Sequence, residues 1–174
     1  MLSIFKKNND HQTPTKTKSF KKHLFLNPYN HWLLNEKHIS RAFLDLIDKF
    51  NPTHQRELIE GGDIIIQPVS GEYSCLVQTP KDASVLLLFP ELINSLKNVN
   101  NDRALSILAH EFGHLYYQHH RKNIATLEAQ IEADDFAYEL GLAHSLVEVL
   151  LNYQDIDSQT RVSILTAKIL AGTS

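Results

Sequence analysis

An α+β fold is the class this sequence predicts, and three observations predict it. Residues 58–89 hold short runs rich in β-branched and aliphatic residues, DIIIQPV, YSCLVQT and ASVLLLF, separated by the turn-forming pieces Ser70-Gly71 and Pro80-Lys81-Asp82. Apolar residues at helical spacing dominate on both sides of that region. The 174 residues are enough for one domain with a true core. The expected architecture is a three-stranded or larger mixed or antiparallel sheet packed on a long helix, with further helices at the C-terminal end.

The elements follow in order. Residues 1–30 carry six lysines against the single Asp10, a balance of +5 that leaves −8 for the rest of the chain. With Pro14, several Asn and Thr, and no apolar periodicity before Phe20, this stretch reads as a basic, disordered tail preceding one domain over 31–174. Residues 31–50 read as a helix whose apolar stripe includes Trp32, Ile39, Phe43, Leu46, Ile47 and Phe50, stopped by Asn51-Pro52. His31, His38 and His54 are polar-flanked and read as surface histidines. Pro68 and Pro90 mark strand ends, and Cys75 is a small core residue of the middle strand. A short helix follows Pro90. Asp102 is placed to cap a helix from Arg103 to about His119. Helices are expected near 126–141, 142–151 and 160–170.

Composition narrows the function. Hydrophobic residues make up 43% and charged residues 21%, the balance of a globular protein rather than a disordered or membrane-embedded one. No run of 18 apolar residues predicts a membrane span, and the lysines after MLSIF are wrongly placed for a secretory signal. Nucleic-acid binding is not expected, because the net positive charge belongs to the tail and the remainder of the chain is net acidic. The single cysteine suits a reducing compartment, so a cytoplasmic location is expected.

The chemistry concentrates in ILAHEFGHLYYQHH, residues 107–120. His110 and His114 are four apart and stack on one helix face, with Glu111 beside them, while Ala104, Leu105, Leu108, Phe112 and Leu115 gather opposite. HExxH at this spacing points to two imidazole ligands for Zn2+ and a general base. Gly113 leaves room for another element to approach. His119 and His120 fall in or beyond the last turn. A third ligand is expected on the helix ATLEAQIEADDFAYELG, where Glu128, Glu132, Asp134, Asp135 and Glu139 are candidates. Gln130 and Asp134 share the direction of its apolar face, whereas Glu128, Glu132, Asp135 and Glu139 form a displaced, solvated stripe.

HEFGH followed by QIEADDFAYELG resembles the minimal gluzincin-type zinc metallopeptidases, a group that includes membrane and periplasmic quality-control peptidases and proteases that cleave repressors. The resemblance covers about residues 85–145. It implies a zincin-like fold, His110 and His114 as zinc ligands, Glu111 as the catalytic base and Asp134 as the support of the first histidine. It also places Gln130 where the family carries a Glu ligand. Three completions stay open: Asp134 as the ligand itself, Glu132 in its place, or a degraded site. The implied activity is hydrolysis of peptide bonds in a peptide or protein substrate, with zinc lowering the pKa of a bound water that Glu111 deprotonates. The alternative is a catalytically weak or inactive binding or regulatory protein, motivated by Gln130.

Overall fold

A computed structural model describes residues 19–70 and 83–172. Helices α1 (Phe20–Phe25), α2 (Trp32–Asn35), α3 (Lys37–Ile47) and α4 (Pro52–Glu60) lead into β1 (Asp63–Pro68). After β2 (Ala83–Leu88) come α5 (Pro90–Leu96), α6 (Asp102–Tyr116), α7 (Thr126–Glu139), α8 (Ala143–Leu150) and α9 (Ile156–Gly172). The expected sheet is corrected. Among the described residues it has two strands, and they run parallel, Ile65 opposite Val85. The chain between them is long enough to cross back and re-enter in the same direction, which a tight hairpin cannot do. The middle strand expected at YSCLVQT, with Cys75, lies outside the described residues. The described fold is therefore mostly helical, not a zincin-like α+β layer.

Local chemistry sets the boundaries. The single helix expected over 31–50 breaks at Glu36, whose φ of −104° and ψ of 77° leave the helical region. Asn51 caps α4, accepting from the His54 N–H at 2.8 Å, and Pro52 occupies its first turn. Asp102 is the first residue of α6 rather than its cap. Past the C-terminus of α7 the chain turns through Gly141 at φ +75°, with the Leu142 N–H donating to the Ala137 carbonyl at 3.0 Å. A residue with a side chain would strain that left-handed turn.

Of the tail read over 1–30, residues 1–18 lie outside the described part, but Phe20 and Leu24 of α1 are fully buried. Phe112 of α6 is the hub they reach. Its ring lies 6.1 Å from Phe20, 6.3 Å from Phe43 and 5.5 Å from Phe50 in edge-on geometry. His54 is also corrected. It is buried, packs on Phe136 at 4.8 Å and meets Glu139 Oε2 at 3.0 Å. The first turn of α4 carries it inward.

The two edges of the sheet differ. Buried Asn30 seals the outer edge of β1, its Nδ2 donating to the Ile64 carbonyl at 2.8 Å and its Oδ1 accepting from the Ile66 N–H at 2.8 Å. The Trp32 indole N–H donates to the Ile66 carbonyl at 2.8 Å. The Val69 N–H donates to the Leu88 carbonyl, so even-numbered residues of β2 bond toward β1. The N–H and C=O of Val85 and Leu87 therefore point off the other edge. No described residue pairs with them.

Candidate functional site

α6 organises the site by burying Ala104, Leu105, Leu108 and Phe112, which leaves Glu111 and His114 to line a cavity with Ala83–Leu86 of β2. His110 is itself buried. α7 packs tightly on this stretch because Gly113 presents no side chain to Ala133. The rings of His110 and His114 meet edge-on, with their Nε2 atoms 3.2 Å apart. Gln130 of α7 brings its amide nitrogen to 3.3 Å from His114 Nε2.

Asp134 lies on the other side of His110. Its Oδ1 is 2.8 Å from His110 Nδ1, and Arg161 of α9 grips both oxygens, Nε to Oδ2 at 2.8 Å and Nη2 to Oδ1 at 2.7 Å. Burial acts to raise the Asp134 carboxyl, but the hydrogen bonds from Arg161 and His110 and the charge interactions with both together outweigh it and hold the group below the usual carboxylate value.

His119 belongs to the cluster, and sequence reasoning missed it. Gln118 takes a left-handed conformation, φ 53° and ψ 42°, which turns the chain back at the end of α6. His119 Nδ1 thereby comes to 2.7 Å from His114 Nδ1, and its Nε2 to 2.8 Å from Glu132 Oε2. Donor accounting gives this chain a direction. His119 Nε2–H donates to Glu132, His114 Nδ1–H donates to the bare His119 Nδ1, and the bare His114 Nε2 accepts from the Gln130 amide. No helical periodicity marks His119, because the contact forms across a chain reversal.

Burial, followed by the neighbouring His110, His119 and Arg161, pushes His114 down to about 4. A depressed histidine supports the fold when neutral. That contribution is fully present above the ordinary value near 6.5 and is lost as pH falls toward 4. Discounted for the partial exposure of the ring, it amounts to about 1 kcal/mol. Urea unfolding across that window is expected to show the loss, and the non-titrating His114→Gln variant to flatten it. An unchanged slope in the variant would assign the acid sensitivity to other groups.

The zinc expectation is corrected by the donor set. Among the described residues, no group of three or more His, Cys, Asp or Glu side chains is placed to hold a metal ion. Two imidazoles converge, but the third position holds the neutral amide of Gln130, placed as a donor. Asp134 is turned to His110 Nδ1 and Arg161, and Glu132 is engaged by His119. These residues do not fit a resident Zn2+, and with the ion goes the bound water on which Glu111 was expected to act as catalytic base. The Tyr138 hydroxyl of α7 donates to the Lys168 carbonyl of α9 at 3.2 Å.

Compared with known proteins, the chain matches no family model, no curated protein and no solved structure. The gluzincin resemblance, and the metallopeptidase and hydrolase readings drawn from it, are therefore not upheld. No described helix is long and apolar enough to cross a membrane.

Proposed function

We propose that this chain is a catalytically inactive binding or regulatory protein that holds an extended segment of a partner peptide or protein in the groove between β2 and α6. The observation that carries this reading is the outward edge of β2. Val85 and Leu87 carry outward N–H and C=O groups that no described residue pairs. Val85 lines a cavity of about 470 Å³ with Glu111, His114 and Leu115, and Leu87 lines an adjoining cavity of about 600 Å³. An extended backbone can add to such an edge as a further strand, with its side chains reaching the groove. The corresponding edge of β1 is closed to this use by Asn30 and Trp32. The lone Cys75 supports a cytoplasmic setting.

Fluorescence anisotropy with labelled peptides of alternating apolar and polar residues tests the reading. Micromolar binding that EDTA leaves unchanged is expected. Val85→Pro removes an outward N–H without touching the ladder to β1, and it is expected to weaken binding about tenfold or more, equivalent to about 1.4 kcal/mol. Unaltered affinity in that variant would sink strand addition as the mode of binding. Peptide cleavage that zinc stimulates and Glu111→Gln abolishes would overturn the non-catalytic reading.

A further inference from the structure

The groove continues past Glu111 into a second cavity of about 600 Å³, with Val85, Leu87, Phe89, Leu92, Ile107 and Val149 on its walls. Glu111 lines both cavities and so stands at their junction. Phe89 is 51% exposed, and Leu92, Ile107 and Val149 are partly exposed, so a long apolar surface flanks one carboxylate. Glu91 adds a second carboxylate at the rim. Neither makes an ion pair with a described residue. Arg103, the cation of that second cavity, is committed to Glu148, its Nε 2.9 Å from Oε2. Among the described residues, the groove therefore sets two carboxylates without an ion-pair partner beside an apolar wall, with His114, His119 and His120 lining the first cavity.

That combination selects by penalty as well as by attraction. An occupant that covers the groove removes water from Glu111, and a buried carboxylate without a partner is costly. A purely apolar segment incurs that cost, and an acidic one adds repulsion. A segment with a Lys or Arg at this position replaces the lost water with a charge partner while its aliphatic stem lies on the apolar wall.

Resting on the binding reading above, we infer that the groove takes an extended apolar segment of a partner protein carrying one Lys or Arg, seated at Glu111. Charge complementarity commits the site to a basic-apolar segment and excludes acidic ones.

Three labelled peptides test this, each an alternating Leu/Ser strand that differs only at its centre, where it carries Lys, Gln or Glu. The wild-type chain is expected to bind the Lys peptide about tenfold more tightly than the Gln peptide, with the Glu peptide weaker still. In Glu111→Gln, checked for an unchanged melting profile, the preference for Lys is expected to disappear. Raised salt should shrink the wild-type preference. If Lys and Gln peptides bind wild type equally while Val85→Pro weakens both, the charge assignment is overturned and the binding reading stands. A Lys preference that survives in Glu111→Gln but not in Glu91→Gln overturns the seat. No binding of any peptide overturns both.

Discussion

Replacing Arg161 with alanine is expected to destabilise the fold by about 3 kcal/mol, because it strands a buried carboxylate. The Asp134 side chain is 2% exposed and that of Arg161 12%, and the guanidinium contacts both oxygens. Of the groups that hold Asp134 ionised, only His110 remains in the variant. The Asp134 carboxyl is then expected to rise toward, and through burial beyond, its ordinary value. Arg161 is also the cation that ties α9 to the α6–α7 pair at this point. Lysine is expected to recover part of the loss, since it supplies charge but cannot match both oxygens. Urea unfolding provides the measurement, and in a thermal melt the loss corresponds to about 6–12 °C for a chain of this size. A change below about 1 kcal/mol in Arg161→Ala would show that water replaces the guanidinium freely.

Gly113→Ala is the second large effect, and its cause is steric. A Cβ at residue 113 would stand 2.8 Å from both the Cα and the carbonyl oxygen of Ala133 and 3.0 Å from Phe136 Cβ. The first two are backbone atoms of α7, so no rotamer change relieves them. Alanine gains about 1 kcal/mol over glycine in a helix interior, but overpacking against backbone exceeds that gain. A net loss of about 2 kcal/mol is expected. Moving α7 also shifts Asp134 relative to His110, so the His110 imidazole NMR signals are expected to move with it. Gly61→Ala is the control. Its nearest contact is a carbonyl oxygen at 3.3 Å and its φ is −64°, so little change is expected. Equal stability of Gly113→Ala and wild type would mean that α6 and α7 can separate without cost.

Much of the helical framework was legible from apolar spacing. α6 and α7 form where the periodicity predicts helices, and Glu111 and His114 line the cavity, whereas His110 is buried against Asp134. The errors share a cause. A break at Glu36, the burial of His54 and the inward return of His119 depend on where one element lands on another. Asp134 illustrates it best, because helical phase puts it on the correct side of α7 but does not reveal that Arg161, 27 residues later, will take both oxygens. The family-like pattern around HEFGH named the right residues for a cluster and the wrong chemistry for it, since two histidines at helical spacing do not specify what faces them.

By itself the sequence determined which face of each principal helix is apolar, that two histidines and a glutamate share one face of α6, and that a neutral Gln130 stands where an acid was expected. These are local properties, set by side-chain spacing within one element. Tertiary structure alone decided that the described strands run parallel, that one edge of β2 is left unpaired among the described residues, and that Asp134 serves Arg161 and His110. It also decided that Glu111 stands at the junction of two cavities without an ion-pair partner among the described residues. Those outcomes depend on contacts between distant segments, whose geometry is set by packing of the core rather than by the order of residues within any helix or strand.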